Sequence, residues 1–202
     1  VAGSVDPDKS TDNEEREQIG IMHNYINDFK LHNKIRWIGK LFRKDQSGEI
    51  YRLIADHKGV FVQPALFEGF GLTVLEAMRS GLPVFATMYG GPFEIIQEGK
   101  SGFHIDPINS IETTNKILDF IKSFKKDKIV WERISANAIE RVDSAYNWEL
   151  YANNLLSLAK IYGFWKFTTN IEMEEFNAYL EVLYHLLYKP RANKILELHN
   201  NR

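Results

Sequence analysis

Two glutamates flank a glycine-containing loop whose residue types suit a charged, hydroxyl-bearing ligand. Glu68 and Glu76 stand eight positions apart, and Gly69 and Gly71 lie between them. A carboxylate can accept hydrogen bonds from paired hydroxyl groups with both oxygens, whereas it repels a bare phosphate. The pair therefore indicates a ligand that combines hydroxyl groups with an anionic group, as a nucleotide sugar does.

The flanking sequence predicts a strand before this loop and a helix after it. Residues 59–62 form an apolar run typical of a buried strand, and apolar residues recur at helical spacing from Leu72 to Met78. The first backbone N–H groups of a helix lack partners within the helix, and the helix dipole favours an anion beside them. We expect the amides of Gly71, Leu72 and Thr73 to bind a phosphate, with the Thr73 hydroxyl adding a hydrogen bond.

A simpler interpretation explains the same residues. A capped helix uses glycines for its turn alone, and two glutamates at this spacing are often solvated surface residues. The glycine spacings of the P-loop and of the dinucleotide-binding fingerprint are both absent. The residues of this loop, taken alone, leave the two interpretations open.

The order of predicted elements indicates an α/β fold. We predict strands at residues 1–3, 34–39, 59–62, 84–87 and 103–105, a polar turn at residues 43–48, and helices at residues 15–29, 49–56, 72–81 and 93–97. Strands that alternate with helices predict a parallel, Rossmann-like sheet, and its ligands bind beyond the carboxyl ends of the strands. From Ile111 onward the pattern is wholly helical. We place a domain boundary between residues 108 and 109.

Composition excludes several functional classes. The 202 residues are 44% hydrophobic and 26% charged, with a net charge of -2, so nothing in the charge favours nucleic acid or an anionic membrane. Cysteine is absent, which excludes disulfides and thiolate metal sites and fits a reducing compartment. We expect no integral membrane segment. Because the chain starts at Val1 inside a predicted strand end, we also expect that its first part is missing.

Other chemically active residue types lack a supporting pattern. Gly90-Gly91-Pro92 predicts a tight turn before a helix that carries Glu94 in its first turn, and His104 lies between apolar residues. We expect structural roles for all of these. An aromatic run at residues 162–167 favours packing at a domain or subunit boundary over sugar stacking. The remaining histidines are scattered without metal-ligand spacing: His23, His32, His57, His185 and His199.

The segment from Glu68 to Glu76 resembles the E-x7-E motif of retaining glycosyltransferases with two Rossmann-like domains, the GT-B fold. More narrowly, the chain resembles the sucrose synthase family more closely than it resembles sucrose-phosphate synthase. Almost the whole chain shares the resemblance, which rests on the stretches Arg36-Trp37-Ile38, Gly48-Glu49-Ile50-Tyr51-Arg52, Phe61-Val62-Gln63-Pro64-Ala65, Glu94-Ile95-Ile96, residues 99–107 and Tyr162-Gly163-Phe164-Trp165-Lys166.

The resemblance implies a reaction and a set of roles. It implies reversible, retaining glucosyl transfer, in which sucrose and UDP give fructose and UDP-glucose. Glu68 would be the catalytic-site residue facing the glucose hydroxyls, and Glu76 would hold the ribose. The amides of Phe70, Gly71, Leu72 and Thr73 would line the diphosphate and sugar. The family implies no required cofactor or metal, a cytoplasmic location and a homo-oligomeric parent protein.

The chain also departs from the family pattern. The basic pair that contacts the diphosphate and the whole acceptor domain have no counterpart, so we expect the 202 residues alone to be inactive. Leu41 and Ser47 align with the family's usual Gln and Asn, and we leave both out of the candidate site. Two alternatives stay open: another retaining glycosyltransferase such as sucrose-phosphate synthase, and a non-catalytic interaction domain with the same fold. A metal-dependent hydrolase is disfavoured, because the sequence offers no cluster of metal-ligating residues.

Overall fold

The structure is a computed structural model, and it describes residues 6, 8, 10, 12–38, 43–168 and 173–200. The strand predicted at residues 1–3 and the position of Leu41 lie outside these residues. Two compact units divide the chain, Val1–Asp143 and Ser144–Arg202. The domain boundary predicted between residues 108 and 109 separates sequence patterns, and it stays a prediction.

A three-stranded parallel sheet organises the first unit. Its order is β1-β2-β3, where β1 is Phe61–Gln63, β2 is Val84–Thr87 and β3 is Phe103–Ile105. The register places Phe61 opposite Val84 and Phe85 opposite Phe103. The helices of this unit are α1 (Asn13–Asp28), α2 (Lys44–Asp56), α3 (Leu72–Arg79), α4 (Gly91–Ile95), α5 (Ser110–Lys126) and α6 (Lys128–Ala145), of which the last two residues belong to the second unit.

The hydrophobic core is centred on β2. Every residue of β2 is buried, and the ring of Phe85 stacks on Phe103 with centroids 4.7 Å apart and meets Phe120 edge-on. Trp131 of α6 is also buried, and its indole N–H donates to the Gly59 carbonyl oxygen at 2.9 Å. Both faces of the central strand are therefore covered. Because β1 and β2 are parallel, their carboxyl ends lie at the same edge of the sheet, where ligands bind in such folds.

The helix after the candidate loop ends as its sequence predicts. Ser80 caps α3, and Gly81 follows with a φ of 83°, which favours glycine. The Gly81 and Leu82 amides donate to the carbonyl oxygens of Met78 and Ala77, at 3.0 and 3.1 Å. Pro83 then prevents the helix from continuing and leads directly into β2.

The described part of the second unit is helical from Trp148 onward. It contains α7 (Trp148–Thr168), α8 (Met173–Leu183), a π-helical turn at Tyr184–Tyr188 and α9 (Lys189–Asn200). The rings of Phe164 and Tyr179 lie 5.2 Å apart, and those of Trp165 and Phe176 lie 6.3 Å apart. Phe164 and Trp165 of the aromatic run therefore pack against α8 within the second unit. The packing role at a domain or subunit boundary stays a prediction.

The structure confirms the α/β class, with a Rossmann-like parallel sheet followed by a helical extension, and it corrects two elements. Residues 34–38 form no strand, because the Lys34 and Ile35 amides both donate to the Leu31 carbonyl oxygen, at 2.8 and 3.1 Å, and continue a turn. The predicted polar turn at residues 43–48 is instead the start of α2, since the Ser47 amide donates to the Arg43 carbonyl oxygen at 2.9 Å.

Candidate functional site

Two loops join at the carboxyl edge of the sheet. The loop after β1 carries Glu68, whose amide donates to the Tyr89 carbonyl oxygen at 3.1 Å in the loop after β2. In return, the Gly91 amide donates to the Glu68 carbonyl oxygen at 2.8 Å. Glu68 and Gly90 thus form an isolated parallel bridge beyond the strand ends. The backbone of Glu68 is therefore fixed from both sides.

The close approach of these loops depends on two glycines. A Cβ atom at Gly90 would overlap the carbonyl oxygen of Glu68, and one at Gly91 would overlap the carbonyl oxygen of Phe70. Gly90 also has a φ of 100°, which residues with a side chain rarely adopt. The Phe93 amide donates to the Gly90 carbonyl oxygen at 3.1 Å, so the turn predicted at Gly90-Gly91-Pro92 is the first turn of α4 and not a turn before it. The turn also holds the Glu68 loop in place, which sequence reasoning missed because these contacts join segments about 20 residues apart.

The Glu68 carboxylate is held by a residue that the sequence prediction did not include. The side-chain amide of Gln63, the last residue of β1, donates from Nε2 to Glu68 Oε2 at 2.6 Å. The one available signal was a polar residue at the end of an otherwise apolar strand, five positions before an acidic residue. The other amide atom, Gln63 Oε1, is buried without a partner.

The first turn of α3 offers backbone donors. Gly71 precedes the helix in a left-handed conformation, and its carbonyl oxygen accepts from the Leu75 amide at 3.0 Å. Within the described ranges, no group accepts a hydrogen bond from the amides of Phe70, Leu72 or Thr73. Because the side chains of Phe70, Leu72 and Thr73 are exposed, these amides lie near the surface at a helix N-terminus, where an anion can use them.

Glu76 lies one turn further along α3, four residues after Leu72 and three after Thr73, so it neighbours both on the helix surface. It faces Tyr51 of α2, whose ring meets Phe61 edge-on at 5.7 Å. Burial raises the pKa of the Tyr51 hydroxyl, and the negative charge of Glu76 raises it further. Glu76 itself is exposed, so its carboxylate is available to a ligand.

Helix α4, which begins at Gly91, is anchored through its carbonyl groups. Arg141 of α6 donates from Nε to the Ile95 carbonyl oxygen and from Nη2 to that of Glu94, both at 3.0 Å. His104 Nδ1 lies 3.1 Å from Glu98 Oε2, and His104 Nε2 lies 3.3 Å from the Pro92 carbonyl oxygen. His104 therefore supports α4, in agreement with the structural role expected for it.

The structure thus places the predicted residues on one loop and one helical turn. Glu68, Phe70, Gly71, Leu72, Thr73 and Glu76 all belong to this segment, and their roles toward a ligand stay predictions. In the described part of the chain, no group of histidine, aspartate and glutamate side chains is arranged to hold a metal ion. No helix there combines the length and apolar character needed to cross a membrane.

Comparison with known proteins assigns the family. The sequence profile described as Glycosyl transferases group 1 matches residues 12–141, which include the whole candidate site. The chain belongs to the group 1 glycosyltransferases.

Relatives of this group 1 glycosyltransferase chain carry a consistent name. A sucrose synthase from Melioribacter roseus is 61% identical over the whole chain, which covers 26% of that relative. Sucrose synthase 6 from Oryza sativa is 46% identical over 96% of the chain, which covers 23% of that relative. The chain therefore spans about a quarter of the length of the relatives that it matches.

Solved structures share the fold. Sucrose-phosphate synthase from Thermosynechococcus elongatus is 24% identical, with a TM-score of 0.58 over 78% of this chain and 36% of that one. HepE from Anabaena, solved in complex with UDP-glucose, is 28% identical, with a TM-score of 0.53 over 71% of this chain and 38% of that one. Together with the family match, these likenesses confirm the predicted GT-B fold.

Proposed function

We propose that this glycosyltransferase chain supplies the nucleotide-sugar-binding wall of a sucrose synthase. The reaction is reversible glucosyl transfer with retention, in which sucrose and UDP give fructose and UDP-glucose. One observation carries the proposal: in the described residues, the amides of Phe70, Leu72 and Thr73 at the start of α3 have no hydrogen-bond partner, and along the chain they lie between Glu68 and Glu76. Relatives named sucrose synthase, with 46% to 61% identity, support this choice of donor and acceptor.

Each group of the site has a task in this reaction. The amides of Phe70, Gly71, Leu72 and Thr73 bind the diphosphate, and they stabilise the charge that develops on UDP as the bond to the glucose anomeric carbon breaks. Glu76 accepts hydrogen bonds from the ribose hydroxyls. Glu68 accepts hydrogen bonds from the glucose hydroxyls beside the reacting carbon. Both carboxylates therefore face neutral hydroxyl groups instead of phosphate oxygens.

The proposal extends to substrates and surroundings. The substrates are UDP, UDP-glucose, sucrose and fructose, with no cofactor or metal required by the residues of the site. The reaction takes place in the cytoplasm in a homo-oligomeric protein, as the resemblance implies. Fructose 6-phosphate is the acceptor to compare with fructose, because a sucrose-phosphate synthase shares the fold.

Activity measurements on the longest reading frame that carries these residues test the proposal. Incubation with sucrose and UDP should release fructose and UDP-glucose, and Glu68→Ala should abolish the release. Glu140→Ala, which removes an exposed glutamate on α6, is the matched control and should retain full activity. A folded protein that releases no fructose would overturn the proposal, and synthesis with fructose 6-phosphate as the acceptor would indicate the alternative reaction.

Binding measurements test the role of Glu76 separately. Glu76→Ala removes hydrogen bonds between a charged carboxylate and the ribose, each worth about 1.5–3 kcal/mol. We therefore expect the affinity for UDP, measured by titration calorimetry, to fall on the order of tenfold or more. Equal UDP affinity before and after the substitution would remove Glu76 from the site.

A further inference from the structure

The end of strand β1 holds a side chain whose contacts do not suit a purely structural role. Gln63 lies opposite Ala86 in the sheet register, at the carboxyl edge where the candidate site is built. Its Nε2 donates to Glu68 Oε2 at 2.6 Å. Of the two polar atoms of the Gln63 amide, only Nε2 suits this position, because the carbonyl oxygen beside an ionised carboxylate would place two hydrogen-bond acceptors in contact.

The carbonyl oxygen of the Gln63 side chain is in a position that lowers the stability of the fold. Gln63 Oε1 is buried and has no hydrogen-bond partner within the described structure. A buried acceptor without a donor destabilises a fold, and an apolar side chain of the same length would avoid that loss. Polar groups that break this rule are found where function requires them. The amide of Gln63 is therefore better explained by what it does to Glu68 than by what it does for the fold.

The remaining freedom of Glu68 lies in its side chain. Its backbone is fixed on both sides, by Tyr89 through the amide and by Gly91 through the carbonyl oxygen. Rotation about the side-chain bonds alone could redirect the carboxylate, and the bond from Gln63 engages Oε2. Oε1 is then the oxygen left for a ligand, and its direction is set before the ligand arrives.

We propose that Gln63 is a positioning residue, which orients the Glu68 carboxylate toward the glucosyl group of the substrate and has no part in holding the nucleotide. The inference rests on the function proposed above, because it takes the ligand of Glu68 to be a sugar. It assigns sugar recognition to β1 and its loop, whereas nucleotide recognition belongs to the first turn of α3. This orientation of Glu68 affects binding of the glucosyl group alone. UDP lacks that group, so its affinity serves as the internal reference.

Comparison of UDP-glucose with UDP tests the proposal in the protein from the longest reading frame. Gln63→Met keeps the length of the side chain and removes its N–H donor. We expect affinity for UDP-glucose to fall on the order of tenfold and kcat for sucrose cleavage to fall with it. The affinity and KM for UDP should stay unchanged, and the melting temperature should not decrease.

A double-mutant cycle shows whether Gln63 acts through Glu68. In a Glu68→Ala background, Gln63→Met should change the UDP-glucose affinity less than about twofold. An equal loss with and without Glu68, or parallel losses for UDP and UDP-glucose, would overturn the positioning role. Unchanged UDP-glucose affinity in Gln63→Met would overturn it too. Failure of the unsubstituted protein to bind either nucleotide would instead overturn the proposed function.

A second variant keeps the test valid if the first one folds poorly. Gln63→Glu preserves the shape of the side chain but brings two carboxylates into contact, so one of them holds a proton at higher pH than usual. The introduced carboxyl can donate to Glu68 only when it is protonated. Activity relative to the unsubstituted protein should therefore recover as pH falls. A relative activity that does not change with pH would contradict the proposed hydrogen bond.

Discussion

At the scale of single residues, the site depends on positions where no side chain fits. Gly90 and Gly91 let one loop backbone lie directly on another, against the carbonyl oxygens of Glu68 and Phe70. Gly69 lies in the same region of the chain, yet a Cβ atom there would meet nothing within 4 Å. The three glycines are therefore not equivalent, and the difference can be measured.

Substitution of Gly90 should destabilise the first unit. Gly90→Ala forces a Cβ atom against the Glu68 carbonyl oxygen at a φ of 100°, so we expect a loss of at least about 2 kcal/mol in the free energy of unfolding. Gly69→Ala is the control, with an expected change within about 0.5 kcal/mol. Urea denaturation of both variants gives the comparison. Similar stabilities for the two would show that the loops do not pack as described.

The charge of Glu76 should be detectable in the titration of Tyr51. Burial raises the pKa of this tyrosine first, and the Glu76 carboxylate adds to the increase because it disfavours the tyrosinate anion. Glu76→Gln removes the charge, so the Tyr51 pKa should move down toward its ordinary value without reaching it. NMR titration of ring-labelled tyrosine, assigned with Tyr51→Phe, measures the change. An unaltered pKa would mean that Glu76 does not face α2.

At the scale of elements, helix α4 connects α6 to the Glu68 loop through hydrogen bonds at both of its ends. Its first residue, Gly91, donates to the Glu68 carbonyl oxygen, while Arg141 holds the Glu94 and Ile95 carbonyl groups at its other end. A helix of five residues has little stability of its own, so its position depends on such contacts. Arg141 is the contact that comes from furthest along the chain.

Removal of the Arg141 guanidinium should loosen α4. Arg141→Met keeps much of the aliphatic chain but loses the donors to two carbonyl groups, which predicts a destabilisation of about 1–3 kcal/mol. Arg133→Met on the same helix replaces an exposed arginine and should cost less than about 0.5 kcal/mol. Thermal unfolding measures both. Hydrogen exchange at the Gly91 amide should also become faster in Arg141→Met alone.

The limits of sequence reasoning follow from the range of the interactions. The strands at residues 59–62, 84–87 and 103–105 were predictable because each is a short, mainly apolar run. Only β2 is fully buried, whereas Val62 of β1 is 39% exposed, so the burial expected for residues 59–62 was wrong. The candidate loop was predictable because its chemistry lies within nine residues. The Gly90 and Arg141 contacts were not, since each joins segments that only folding brings together. Residues 34–38 have a strand-like composition, yet the Lys34 and Ile35 amides donate to the Leu31 carbonyl oxygen in a turn.

At the scale of the whole molecule, the second unit presents an unusual surface. Helix α7 exposes Trp148, Tyr151, Leu156, Leu158 and Tyr162, each by more than half of its surface. A helix that is apolar around most of its circumference is normally covered by other protein. The chain also spans only about a quarter of its relatives. Both facts support the proposal that the chain supplies one wall of a larger site.

The 202 residues alone should therefore bind nucleotide without catalysing transfer. Glucosyl transfer requires a closed cleft that excludes water, whereas Phe70 and Leu72 of the candidate site are 52% and 64% exposed. We expect the purified chain to release no fructose from sucrose and UDP under conditions in which the longest reading frame does. Binding of UDP, lowered in Glu76→Ala, would show that the site itself is intact. Sucrose cleavage by the 202 residues would mean that this single wall suffices for the chemistry.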